Sequence, residues 1–387
     1  MSWPKAKFEE VALPTKGAIV SGPFGSNIGS RFFVDEGIPV IRGNNLTFGQ
    51  RRFIDDGFVY LTEDKASEFR NCEAIAEDLI FTAAGTIGQV GIIPANSQYD
   101  RYIISNKQLR VRCDKTKVNP LFLFLWFTTP EMRQHIINKN SGSSIPLINL
   151  GILRSLPIPL PPLDRQDRIA STLSTYDDLT ETNRRRMALL EESARLLYRE
   201  WFVRLRFPGH EHTRVVDGVP DGWVLTPLGQ RIALNYGKTL KADDRISGPF
   251  PVYGSGGIIG THEKALIQGP GIIVGRKGSV GTVFWCGKDF YPIDTVFFVD
   301  STESSIYLYY ALKHMYFTST DVAVPGLNRD FAYSRQLLWP SDKILVAFLE
   351  YVAPVFGQIE KLAEINQKLQ TARDQLLPRL MSGEIAV

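Results

Sequence analysis

Two basic turns bordered by glycine offer the first candidate chemistry. Residues 275–278 read GRKG, which puts Arg276 and Lys277 at a tip. There a guanidinium could fork onto a guanine edge and an ammonium could meet a phosphate. NYGKTLK at 235–241 holds Gly237, Lys238 and Thr239, the tail of a phosphate-binding loop, with Lys241 following. That loop needs a glycine five residues before Gly237, where Ile232 stands, so the nucleotide motif fails. Lys238 and Lys241 remain as solvated lysines or as contacts to a phosphate backbone. AAGTIG at 83–88 is likewise no complete GxGxxG, and strand-like sequence follows both glycine turns where a nucleotide fold needs a helix.

Polar side chains beside glycine turns make up the rest of the candidate set. In the first half these are Arg42, Asn44, Asn45, Arg51 and Arg52, with Lys107 and Gln108 on a later strand. The second half adds Tyr253 and Ser255 to Lys238, Lys241, Arg276 and Lys277. Arginine can read guanine with two hydrogen bonds, and asparagine or glutamine can read adenine. Taken singly, each reads first as a plain surface residue and only second as a base reader.

Catalytic and metal patterns are missing. The histidines (His135, His210, His212, His262 and His314) form no ligand spacing, and Cys72, Cys113 and Cys286 form no CxxC pair. HExxH, GxSxG and the NPPY-like tetrapeptide of amino-methyltransferases do not occur; PIPLPP at 157–162 is a different motif. No catalytic residue, cofactor site or metal site is expected in this chain. Scattered cysteines and an N-terminus, MSWPKAKFEE, without an apolar run set the expectation of a reducing cytoplasm. NPLFLFLWFTTP at 119–130 is too short to span a bilayer and reads as buried core. The formal net charge of +3 is far from the basic excess of a nonspecific nucleic-acid wrapper; it permits a localised basic face without pointing to one.

The elements that must carry these residues occur twice. Pro146 matches Pro325, Asn149 matches Asn328 and Pro161 matches Pro340, each 179 residues apart. Upstream, Gly85 matches Gly278 and Gly88 matches Gly281 at 193, and Trp3 matches Trp223 at 220, so the first half has about 41 extra residues. Both halves read as many short strands followed by helices, among them LFLFLWFTTPEMRQHIINKN and SIYLYYALKHMYF. This organisation predicts globular domains at 1–160 and 223–340, long helices at 161–206 and 341–387 (the latter with a short tail), and a linker at 207–222.

Each long helix carries an apolar stripe of period three and four. The first runs through Leu173, Tyr176, Thr180, Asn183, Met187, Leu190, Ala194, Leu197 and Trp201; the second through Val352, Val355, Ile359, Leu362, Asn366, Leu369, Arg373, Leu376 and Leu380. A segment of about 40 residues is roughly 60 Å long, more than one small domain can cover. The expected solution is antiparallel pairing of the two helices as a spacer with pseudo-twofold symmetry; helices packed each on its own domain, or paired in parallel or between molecules, are the alternatives. Asn183, Asn366 and Arg373 break the stripes and must be paired, stand at stripe ends or meet another protein. Met187, Leu190 and Trp201 beside Arg184, Arg185 and Arg186 suit a partner surface, although the arginines could simply be solvated.

The order of these motifs resembles the specificity subunits of type I restriction–modification systems along essentially the whole chain. The resemblance is carried by SGPFGSNIGSRFFVDEGIPVIRGNNL, PFPVYGSGGIIGTHEKALIQGPGIIVGRKGSVG, PLPPLDRQDRIASTLSTYDDLTETNRRRMALLEESARLLYREWF and QIEKLAEINQKLQTARDQLLPRLMSGEI. It implies an α+β chain with two mixed target recognition domains separated by two long antiparallel helices. Each domain would read one half-site of a bipartite, asymmetric sequence in double-stranded DNA. The chain would direct adenine methylation by two modification subunits and ATP-dependent cleavage by restriction subunits. S-adenosylmethionine, ATP and Mg would belong to those partners, and no membrane is involved. Two other readings stay open at this point: a non-catalytic scaffold that acquires DNA binding on assembly, and a self-contained DNA-modifying enzyme.

Overall fold

A computed structural model describes residues 3–49, 51–141, 145–315, 317 and 326–385. Pro325 and the neighbouring Ala323 and Val324 of the repeat, and Ser144 in the other half, lie outside the described residues. The chain forms two compact units, Met1–Thr182 with Asn366–Val387 and Asn183–Ile365. The units therefore interleave along the sequence, and each takes one end of both long helices.

In the first unit, strand Lys5–Lys7 pairs with Pro157–Pro159, closing the head where the chain enters and leaves it. Between them lie two four-stranded sheets. One runs Ile19–Ser21, Gln108–Val111, Leu79–Thr82, Val90–Ile92; the other runs Val59–Leu61, Ile38–Ile41, Tyr102–Ile104, Glu73–Ala74. The apolar helix Pro120–Thr128 is nearly all buried, as NPLFLFLWFTTP predicts, with Asn119 capping its start. The helical run expected through 121–140 is broken at Thr129, because Pro130 can begin a helix but cannot continue one.

The second unit repeats the topology. Its four-stranded sheet runs Asn235–Tyr236, Val296–Val299, Gly271–Gly275, Val283–Cys286, and a three-stranded sheet runs Gly257–His262, Phe250–Gly254, Tyr291–Pro292. Register confirms the offsets read from sequence. Lys5 faces Pro159 and Leu225 faces Leu338, the same pair displaced by 220 and 179. Phe81 faces Val90 and Val274 faces Val283, both displaced by 193. Each unit also contains a parallel pair, Val40 with Ile103 and Val252 with Tyr291, so the strand order as well as the motif spacing is duplicated.

The first long helix spans Leu163–Tyr198 and continues through a π-helical turn, Arg199–Val203; the second spans Asp342–Ser382. Within the first unit they run antiparallel. Asn366 Nδ2 donates to the Thr180 carbonyl at 3.2 Å, Arg373 Nε meets Asp177 Oδ1 at 2.6 Å, and Leu377 and Leu380 share a core with Leu173. Moving forward on one helix moves backward on the other. In the second unit Ala194, Tyr198 and Trp201 pack with Phe348, Val352 and Phe356. Every stripe residue is buried or half-buried. Trp201 lies in that core, with its ring 5.9 Å from the ring of Phe348, and so is not open to a partner.

Candidate nucleic-acid interface

Five backbone segments, joined by four hydrogen bonds, converge at the same place in each head. In the first, Gly22 N–H donates to the Gln108 carbonyl (3.0 Å), Ser105 N–H to Ile41 (2.9 Å), Ala83 N–H to Lys107 (2.7 Å) and Ile148 N–H to Ala83 (2.8 Å). In the second, Gly237 N–H donates to Val296 (3.3 Å), Ile293 N–H to Tyr253 (2.9 Å), Arg276 N–H to Thr295 (2.9 Å) and Leu327 N–H to Arg276 (2.8 Å). Each bond of one set is the repeat-equivalent of the bond in the other. Isolated bridges between Ala84 and Leu147 and between Lys277 and Gly326 complete the frame.

Glycine at two of these positions is a packing requirement. A Cβ on Gly22 would overlap the Ser105 carbonyl oxygen, and one on Gly237 would overlap that of Ile293. Rigid backbone of this kind can present side chains at fixed positions. GKT in NYGKTLK thus owes its glycine to close strand approach rather than to phosphate binding. Asn149 and Asn328, matched by the repeat, both accept N–H bonds from the first turn of a short helix, so their shared identity is capping.

On this common frame the side chains differ. The first head shows Phe24, which is 84% exposed, with Asn44 and Lys107 also exposed. The second head shows Lys238 and Lys277 exposed and Ser255 half-buried. Arg276 is half-buried: its Nη2 donates to the Asp294 carbonyl (2.9 Å) and its guanidinium lies 5.1 Å from the centre of the Tyr236 ring. Arg329 approaches the same ring at 5.2 Å. The cation beside the glycine turn thus comes from 276–277 in the second head. In the first, Ala83 and Ala84 occupy those places, and Lys107 supplies the charge from the adjoining segment. Lys241 is exposed at the start of the turn Ala242–Asp244.

Several residues singled out by type are turned inward. Asn45 is fully buried; its Oδ1 accepts from Arg42 N–H (2.9 Å) and its Nδ2 donates to the carbonyls of Ile54 and Asp56, both at 2.9 Å. Gln108 is buried, with its side-chain oxygen accepting from the Ser105 hydroxyl. Tyr253 packs between Phe284 and Phe290, and burial first, then Cys286, pushes its phenol well above the ordinary range. These three hold the frame and have no face for a duplex. Arg42 is half-buried, with Nη2 3.5 Å from the Gly57 carbonyl. Arg51 and Arg52 turn toward the first long helix, where they meet Glu181 at 3.8 Å and Asp178 at 2.9 Å.

Phe24, Tyr236 and Arg329 were missed by residue-type reasoning. Tyr236 adjoins Gly237 and Phe24 lies two residues after Gly22, both glycines packed against backbone, and Arg329 directly follows the capping asparagine, which are the signals that could have marked them. Among the described residues no group of three His, Cys, Asp or Glu side chains could hold a metal ion. No helix among them is long and apolar enough to cross a membrane.

Comparison with known proteins agrees with this architecture. Residues 32–192 match the family model described as Type I restriction modification DNA specificity domain. The chain is 23% identical to the Type I restriction enzyme MjaIX specificity subunit of Methanocaldococcus jannaschii, over 90% of this chain and 87% of that one. It is 24% identical to the HindI specificity subunit of Haemophilus influenzae, over 82% of this chain and 92% of that one. The crystal structure of a Type-I restriction-modification S subunit from M. genitalium has the same fold, with a TM-score of 0.59 at 18% identity over 98% and 96% of the two chains. Residues 32–192 therefore carry a type I restriction modification DNA specificity domain, and most of the chain's length is similar to the specificity subunits of type I restriction–modification systems.

Proposed function

We propose that the two heads read the two halves of a bipartite, asymmetric target in double-stranded DNA, and that the paired long helices fix the unread spacer between them. The observation that carries this reading is the duplicated hydrogen-bond frame bearing unlike side chains. Equivalent backbone hydrogen bonds with Phe24, Asn44 and Lys107 on one copy and Lys238, Arg276 and Lys277 on the other suit two readers of different sequence. Joining two readers on one spacer makes engagement of the second half-site intramolecular and raises joint affinity above either alone.

The chain itself performs no bond chemistry in this scheme. Two modification subunits bring S-adenosylmethionine and methylate adenine; restriction subunits bring ATP and Mg and cleave. Exposed Leu189, Leu196 and Val203, seven residues apart on the first long helix and its terminal turn, support docking of a modification subunit there. At 70%, 45% and 41% exposure they form an apolar line that a solvated helix does not need. The net charge of +3 favours a chain that binds DNA well only once assembled. The setting is the cytoplasm, where the DNA is.

Methylome mapping of cells carrying the complete system tests this reading. Methylation should fall on one split motif with a constant spacer, and the chain without modification subunits should methylate nothing. A continuous motif, or methylation by this chain alone, would contradict it.

A further inference from the structure

The first head has a loop at 42–58 that the second lacks. Strands Phe250–Gly254 and Gly257–His262 are joined by Ser255 and Gly256 alone, whereas 17 residues separate Ile38–Ile41 from Val59–Leu61. Asn45 is the internal post of this loop through its bonds to Ile54 and Asp56. Thr47 Oγ1 accepts from Arg51 N–H (3.2 Å) and donates to the Arg51 carbonyl (2.9 Å). Val90 N–H donates to Thr47 and Ile92 N–H to Arg52, so the loop backbone is fastened to a core strand.

Its side chains then leave the head. Arg52 Nη2 lies 2.9 Å from Asp178 Oδ1 and 3.4 Å from the Ser174 carbonyl, and Arg51 Nε lies 3.8 Å from Glu181 Oε2. Residues 174, 178 and 181 lie on one face of the first long helix. The neighbouring Asp177 holds Arg373 of the second long helix, so both helices share this charge cluster within the one unit. The second head is seated by a different device. There the Glu191 carboxylate accepts from Tyr309 (3.2 Å) and Lys313 (3.1 Å), while its carbonyl accepts from Tyr310 (3.2 Å).

We infer that Arg52, with Arg51 beside it, is a positioning residue: it sets the angle of the first head on its helix and so restricts the spacer lengths the protein accepts. Base choice stays with the frame around Gly22, Ala83 and Lys107. The inference rests on the split-target reading above. One guanidinium nitrogen of Arg52 serves both the Asp178 carboxylate and the Ser174 carbonyl, which ties the loop to one turn of the helix.

The test uses the full complex with its modification subunits. One DNA library varies spacer length by single base pairs with both half-sites fixed; another varies the half-sites at the native spacer. Arg52→Asp and Asp178→Arg should each lower the ratio of methylation at the native spacer to that at its neighbours, on the order of threefold. Base preference should be unchanged, and the double exchange should restore the ratio. Arg52→Gln, which removes the charge but keeps a polar side chain without adding a carboxylate, should behave like Arg52→Asp and guards against a folding defect. Altered base preference in the first half-site, an unchanged spacer ratio, or an exchange that fails to rescue would each overturn the inference. A wild-type complex with no split motif would instead sink the reading on which it rests.

Discussion

Arg373 on the second long helix places its Nε 2.6 Å from Asp177 Oδ1 on the first, at a stripe position where periodicity alone asks for an apolar side chain. The side chains are only 10% and 20% exposed, so the pair lies within the helix–helix seam. A lone charge there would be costly, and the partner makes it tolerable. The pair also specifies alignment, because sliding either helix by a turn would separate the charges.

Removing one partner should therefore cost more than removing both. Arg373→Ala should destabilise the protein by about 2–4 kcal/mol, while Arg373→Leu with Asp177→Leu should be nearly neutral. Urea unfolding of the three proteins checks the order.

The pH dependence has a defined sign. Burial, opposed by Arg373 and by the more distant Arg52, raises the Asp177 carboxyl above its ordinary value. The folded state then binds the proton more tightly than the unfolded state. Relative to Asp177→Asn, the wild type should gain stability as pH falls through the raised carboxyl range and lose it as pH rises. Melting temperatures of both proteins between acid and neutral pH give the slope; the opposite sign would mean that attraction to Arg373 outweighs burial.

The capping asparagines should behave alike. Asn149→Ala and Asn328→Ala should each cost about 1 kcal/mol in thermal or urea unfolding. Methylation in the assembled complex should keep its base preferences in both variants, because each side-chain oxygen is taken up by backbone N–H groups of its own helix.

Lys107 and Lys277 should act on separate half-sites. Each alanine variant should reduce the slope of log affinity against log salt by about 1 if its ammonium meets a phosphate. Any change in tolerated bases should be confined to one half-site, a different one for each lysine. Salt titrations and methylation mapping of the assembled complex measure both effects.

The duplicated architecture was legible because repetition is written in spacing. The offsets of 220, 193 and 179 residues reappear as paired strands, as in Lys5–Pro159 and Leu225–Leu338. The helix pairing was legible because a period of three and four survives any surface divergence. The reading surface was less so. Asn45, Gln108 and Tyr253 have the residue types of base readers, but their polar atoms are held within the head. Arg52 finds its partner 126 positions away at Asp178, a relation no local pattern carries. Phe24 is an apolar residue on an exposed turn, which composition treats as core.

Lengthening both long helices together would show whether they measure DNA. Four residues, roughly one helical turn or about 6 Å, would be added to each long helix at matched positions of the repeat. Methylation by the complete complex would then be mapped. A longer preferred spacer between two unchanged half-sites is the predicted result. Unchanged spacing, or new bases in either half-site, would contradict an account in which these helices measure DNA.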